Sequence, residues 1–271
     1  MTRTIGLAAL TVLDAGPAGQ IAAAAAAGFD AVGLRLNPLL ATDPVVIGDA
    51  VAERAVRDGL RTTGLGVLDV GVVTLTESLD VAAPAPLMAF SAEIGARFLT
   101  CPVADEDRGR REATFAALCE AAARFSLTPL IEFNPYSACR TLGDAVGLVD
   151  GAGHANAGLC VDAFHLSRSG GHPDDLRRVP AERLRLLHFC DAGPLPAGPT
   201  SVEAIRAESR GGRLLPGEGS LWLAELLSAL PADVPVSVEA PSVNLARLPV
   251  EERAAKALAA TRRVLAAWER G

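Results

Sequence analysis

The sequence predicts a single (β/α)8 TIM barrel spanning residues 1–271, and three observations carry that prediction. Apolar strand candidates alternate with helical segments eight times, with no composition break and no Gly/Ser linker, which is the pattern of a parallel sheet covered by helices. The 271 residues match the roughly 250 that such a barrel needs. Four consecutive strand candidates break off into an acid or an imidazole, at Glu132, Asp162, His188 and Glu239, and in a closed parallel barrel all such ends share one face. A doubly wound open sheet would want a glycine-rich phosphate loop after the first strand, and Thr11 to Gly16 supplies none.

Taken in order, Ile5 to Leu10 is a short apolar strand, and Pro17 to Ala27 is an alanine-rich helix stopped by Gly28. Ala31 to Leu36 is the second strand, ending at Arg35 and Asn37-Pro38; Pro44 to Asp58 is the second helix, with Gly59 after it. The third strand, Gly64 to Leu75, is weakened by its glycines, which are the mark of a bulge. Ala82 to Ile94 is helical, Arg97 to Cys101 is the fourth strand and Arg110 to Phe125 the fourth helix. Pro129 to Phe133, Ala157 to Ala163, Leu184 to Cys190 and Val234 to Ala240 are strands five to eight, each a buried apolar run that turns polar at its end. Between them lie helices over Leu142 to Val149, from Pro173, and over Leu221 to Leu230. Pro249 to Trp268 forms the last helix, with Glu251 and Glu252 in its first turn as the helix dipole favours.

The longest irregular stretch, Ala192 to Gly219, carries a short helix around Ser201 to Ala207 and follows the strand that ends in His188. Loops of this length in compact domains usually serve the site, so it reads as a lid that delivers Arg210 or Arg213. Gly217 and Gly219 shape the turn into the seventh helix.

Composition sets limits on function. Half of the residues are hydrophobic but only 4% are aromatic, so the core is built from Ala, Val and Leu. A net charge of −7 speaks against nucleic acid, since phosphate binding calls for a basic surface. No run approaches about 18 uninterrupted apolar residues and no signal stretch opens the chain, so a soluble, cytoplasmic protein with no membrane partner is expected. Cys101, Cys119, Cys139, Cys160 and Cys190 are odd in number and sit mostly inside apolar runs, as small buried hydrophobes in a reducing compartment. Among 25 basic residues only Lys256 is a lysine, and it lies in the last helix, far from lysine chemistry at a strand end. The high apolar content and the long last helix fit a homo-oligomer, a dimer or tetramer.

Three carboxylates and an imidazole on neighbouring strand tips repel and resist ionisation unless a cation joins them. Glu132, Asp162, His188 and Glu239 therefore read as ligands of one divalent metal. Oxygen donors with one imidazole favour Mn²⁺, Mg²⁺ or Co²⁺ ahead of Zn²⁺. His165, three residues after Asp162 in the loop above strand six, reaches the same cavity, and Arg210 and Arg213 pair with substrate hydroxyls or a carboxylate. Asp191 steers the His188 ring or makes a salt bridge. His154 and His172 read as loop residues. A Lewis-acid ion stabilises the enediolate formed beside a substrate carbonyl, while one of Glu132 and Glu239 removes the proton and the other returns it.

These residues also carry a resemblance. Glu132 in IEFNP, Asp162 and His165 in CVDAFHLSRSGG, His188 in LLHFCDA, the LLPGEG run of Leu214 to Gly219 and Glu239 in VSVEAP resemble the xylose isomerase-like TIM-barrel superfamily, in its branch of sugar phosphate isomerases/epimerases and inosose isomerases and dehydratases. The resemblance runs along nearly the whole chain and is specific from about Leu130 onward. It implies one metal on the same four residues, Glu132 and Glu239 as catalytic bases, and substrate contacts from His165 and an arginine ahead of PGEG. The strand-end lysine of aldose isomerases and the histidines of a multi-zinc endonuclease site are missing, as only His154, His165, His172 and His188 are available. The expectation is a metal-dependent isomerase or epimerase of a small ketose or keto-inositol. Its first alternative is a lyase on the same site, an inosose or 3-dehydroshikimate dehydratase, and its second a non-catalytic sugar-binding barrel.

Overall fold

In the computed structural model, which describes residues 3–39, 43–195, 198 and 200–270, eight parallel strands close into a barrel in simple sequence order, each hydrogen-bonded to the next and β8 to β1. The strands are β1 (Ile5–Leu7), β2 (Ala31–Arg35), β3 (Gly66–Gly71), β4 (Phe98–Cys101), β5 (Thr128–Glu132), β6 (Gly158–Asp162), β7 (Leu184–Phe189) and β8 (Val236–Val238). The helices are α1 (Gly16–Ala27), α2 (Ala50–Thr63), α3 (Ala85–Glu93), α4 (Arg108–Ala123), α5 (Leu142–Ala152), α6 (Ala163–Arg168), α7 (Pro173–Leu176), α8 (Val202–Gly211), α9 (Leu223–Ala229) and α10 (Val250–Arg270). The predicted fold class is the observed one.

Two cores divide the apolar residues. One lies between strands and helices. The other, inside the barrel, consists of one side chain from each of six strands: Ala31, Leu68, Phe98, Leu130, Cys160 and Leu186. Side chains alternate along a strand, so residues two positions further on face the same interior, one layer nearer the C-terminal rim. That step leads from Leu130 to Glu132, from Cys160 to Asp162 and from Leu186 to His188.

The strand β3 departs from this alternation. Val32 pairs with Val67 but Leu34 pairs with Val70, so β3 holds one residue more than β2 over this stretch. Val67 and Val70 pack outward against the helices while Leu68 faces inward. The extra residue of this bulge is Asp69, and its carboxylate is turned into the barrel interior beside Gly33. The bulge expected from the glycines of this strand is therefore present.

Several boundaries differ from the sequence reading. The first strand ends at Leu7 rather than Leu10, because Thr11 folds back to donate its hydroxyl to the Val238 carbonyl and accept the Ala240 N–H, and Ala9–Ala15 coils into 3₁₀ geometry. The second helix starts at Ala50, capped by the Asp49 side chain, and runs through Gly59 to a left-handed stop at Gly64 (φ 72°). Gly59 serves packing instead: a β-carbon there would stand 3.3 Å from Ile21 of α1. In the lid segment the helix extends to Gly211, and Pro196, Ala197 and Pro199 lie outside the described residues. No helix among the described residues is long and apolar enough to cross a membrane.

Candidate metal centre

Glu132 closes β5, Asp162 closes β6, His188 is the penultimate residue of β7, and Glu239 follows β8. Strand register sets Asp162 beside His188, Glu132 beside Cys160 and His188 beside Ser237, two residues before Glu239. One donor atom from each of the four lies within 4.8 Å of the others. The structure thus brings together the whole predicted ligand set, at the C-terminal end of the barrel as expected.

The hydrogen bonds inside the cluster are short. His188 Nδ1 and Glu132 Oε1 stand 2.8 Å apart, and Glu239 Oε2 is 3.5 Å from the same nitrogen. Asp162 accepts the His165 N–H on Oδ1 (2.8 Å) and the Arg213 guanidinium on Oδ2 (2.6 Å). Arg213 Nη1 also donates to the Glu239 carbonyl (3.1 Å), and its Nη2 lies 3.3 Å from His165 Nε2. Asp162 is fully buried and Arg213 is 1% exposed.

The candidate substrate contacts part company here. His165 is not in a loop but in α6, which Asp162 caps, and it is buried with its ring edge-on to Tyr136 (5.6 Å). Arg213 is locked into the cluster. Arg210 is exposed on α8 and lines the outer part of the cavity. Asp191 touches neither His188 nor an arginine: its carboxylate accepts the N–H groups of Ala192, Gly217 and Leu221 and pins the turn at Pro216–Gly219.

Sequence reasoning missed three groups. Asp69 of β3 lines the cavity, as do Tyr136 and Ser209, whose hydroxyls bond at 2.8 Å. Tyr136 stands four residues past Glu132 and was open to discovery on that ground; Asp69 had only the signal of an acid in the middle of an apolar run. The cavity measures about 1260 Å³ and takes lining from all sides of the rim, including Arg35, whose guanidinium pairs with Asp43 (3.1 Å).

Burial and neighbouring charge push the acids in different directions. Burial lifts Glu239 to about 7, against the pull of His188 and Arg213. Burial acts on Glu132 too, but the hydrogen bond and charge of His188 outweigh it and hold the carboxyl below its ordinary range. For Asp162 the guanidinium of Arg213 and His165 outweigh burial and bring it to about 2. Burial lowers His165 to about 4. Asp69 is raised, again by burial.

The model of the xylose isomerase-like TIM barrel matches residues 21–264. The chain belongs to that family. An inosose isomerase of Halalkalibacterium halodurans is 30% identical over 115 residues, which is 42% of this chain and 38% of that protein, so the chain matches well under half the length of this relative. Among solved structures, the IOLI protein with a binding zinc atom superposes with a TM-score of 0.82 at 19% identity, covering 98% of this chain and 99% of that one. The probable 3-DHS dehydratase AsbF of Bacillus anthracis superposes with a TM-score of 0.72 at 15% identity, covering 94% and 98%.

Within this xylose isomerase-like barrel the donor set fits a divalent cation. Three carboxylates converge on one imidazole, and the guanidinium of Arg213 pairs with Asp162 and Glu239. Each carboxylate oxygen of Asp162 accepts one hydrogen bond and so keeps a further lone pair free for a metal.

Proposed function

We propose that this chain is a divalent-metal-dependent isomerase or epimerase acting on a small ketose or keto-inositol, with Glu132, Asp162, His188 and Glu239 holding the ion and Glu132 and Glu239 moving protons. The observation that carries the reading is the pair of glutamates from the ends of β5 and β8, the strands on either side of β6 and β7, whose carboxylates stand 2.8 and 3.5 Å from the same nitrogen of His188. Two carboxyls placed on either side of one site can remove a proton and return it.

Bound at this cluster, the ion supplies Lewis-acid stabilisation of the negative charge that develops on the substrate oxygens. Glu132 as carboxylate takes the proton from the carbon beside the substrate carbonyl. Glu239 returns a proton, to the opposite face in epimerisation; in isomerisation the proton goes to the neighbouring carbon while the hydroxyl proton passes from one substrate oxygen to the other. Arg213 holds Asp162 in place, and the neutral His165 and the Tyr136 hydroxyl offer hydrogen bonds to substrate hydroxyls. The partial identity to an inosose isomerase supports the keto-inositol substrate class.

The test is exchange. Metal-loaded protein incubated with inososes and ketoses in deuterated water is expected to exchange the hydrogen beside the carbonyl, seen as loss of its proton resonance. Absence of exchange across that panel overturns the proposal. The second glutamate beside His188 also suits a second reading, a lyase in which Glu239 delivers the proton to a departing β-hydroxyl; a conjugated product absorbing in the ultraviolet would separate it from the first.

A further inference from the structure

One side of the His188 ring has no part in the chemistry above. Nδ1 faces Glu132 and Glu239, whereas Nε2 is buried without a hydrogen-bond partner and looks toward Asp69, whose Oδ2 stands 4.0 Å away. Asp69 Oδ1 is likewise buried and unpartnered. Buried polar groups left without a partner cost stability. The backbone brings the Asp69 carboxylate to this side of the ring by an irregular register. A bulge in β3 turns Asp69 inward, and opposite it β2 carries Gly33, where any β-carbon would overlap the Asp69 carboxylate.

The tautomer gives this arrangement its meaning. The hydrogen bond from Nδ1 to the ionised Glu132 requires a proton on Nδ1. A metal ligand needs the lone pair of that nitrogen, so a ligating His188 carries its proton on Nε2 instead. The carboxylate facing Nε2 is that of Asp69. We propose that Asp69 is the positioning residue of the metal centre: it accepts Nε2–H when His188 ligates through Nδ1, fixing the ring's tautomer and angle. The inference rests on the metal site proposed above. Asp69 acts through His188 and not on substrate. Cys160 also lies beside the ring, but a thiol is a weak acceptor by comparison with a carboxylate.

The experiment uses metal-stripped full-length protein, titrated calorimetrically with Zn²⁺ or Mn²⁺ alone. Alongside it, ¹⁵N-histidine NMR of the Zn²⁺-loaded form reads the tautomer of each of the 4 histidines. Asp69→Ala is expected to weaken metal binding about 10- to 100-fold. Asp69→Asn, whose amide oxygen still accepts Nε2–H, should recover most of that loss, and Cys160→Ala should leave affinity unchanged. In the wild-type Zn²⁺ form His188 should be protonated on Nε2, with that proton shielded from exchange, and Asp69→Ala should remove the shielding. Wild-type affinity in Asp69→Ala, or His188 protonated on Nδ1 in the Zn²⁺ form, overturns the proposal while leaving the metal site standing. Failure of the wild type to bind either ion overturns the metal site, and this inference with it. If Asp69→Ala does not fold, the wild-type tautomer decides.

Discussion

The two halves of the barrel wall bring polar groups to the same level by different means. Along β5 to β8, plain alternation carries Glu132, Asp162 and His188 one layer above Leu130, Cys160 and Leu186, with Glu239 two residues after Ser237. Along β1 to β4 the corresponding level offers Ala8, Gly33 and Thr100, and its one carboxylate, Asp69, gets there through a bulge. The first half holds groups that a strand places by counting; the second holds a group that only an irregular register can place. The first should therefore fail by loss of chemistry and the second by loss of geometry.

The largest effects belong to the first half. Glu132→Gln and Glu239→Gln are each expected to lower turnover about 10²- to 10⁴-fold with the melting temperature kept, measured by steady-state kinetics and calorimetry. Asp162→Asn and His188→Asn should abolish turnover together with metal retention, while Cys160→Ala, a layer below, leaves turnover largely intact. Retained turnover in either glutamine variant would move the acid and base elsewhere.

Arg213→Met comes next. It strips the buried Asp162 of the guanidinium that pairs with it at 2.6 Å, and removing one partner of a buried ion pair typically costs about 3–5 kcal/mol. Arg210→Ala, three residues earlier and exposed, should stay within about 0.5 kcal/mol in the same denaturant titration. Equal costs for the two would contradict the assignment of Arg213 to the cluster.

That pair also marks how far the sequence could be read. Glu132, Asp162, His188 and Glu239 were legible because burial and chain position report the same thing there: an apolar run becomes charged where a strand leaves the core. Arg210 and Arg213 were not separable, since three residues at the end of a helix decide which one turns inward, and composition says nothing of that. His165 was assigned to a loop because a helix capped by a ligand residue has too short a run, six residues, to show periodicity. Asp69 was invisible for a deeper reason. A bulge is a relation between two strands, and the lone sequence of β3 alternates as though Asp69 faced the helices.

The titration of the metal-free cluster gives a subtler contrast. Glu239 has its folded pKa raised from an ordinary 4.5 to about 7, so its stabilising share is full below 4.5 and is lost as pH rises through 7. His165 has its folded pKa lowered from 6.5 to about 4, so its share is full above 6.5 and is lost as pH falls through 4. Each is worth about 3 kcal/mol and the two oppose across the same window. Wild-type stability should thus be nearly flat between about pH 4.5 and 6.5, the overlap of the two ranges, as far as these two groups decide it. Removing one group should expose the other: relative to the wild type, Glu239→Gln gains a rising slope with pH and His165→Asn a falling one. Parallel profiles for the three proteins would rule the compensation out.

The smallest effect tests the second half of the wall directly. In Gly33→Ala the new methyl overlaps the Asp69 carboxylate, which then swings off its line to His188 or pushes β2 and β3 apart. Overpacking of this kind typically costs about 1–3 kcal/mol. A general intolerance of β2 to a side chain would give the same number, so the double variant decides. With Asp69→Ala the carboxylate is gone and the methyl has room, hence Gly33→Ala in that background should cost less than about 0.5 kcal/mol, a coupling that additive sites do not show. Full cost in both backgrounds would mean that Gly33 is required by the strand pair itself, and that the Asp69 socket is incidental to it.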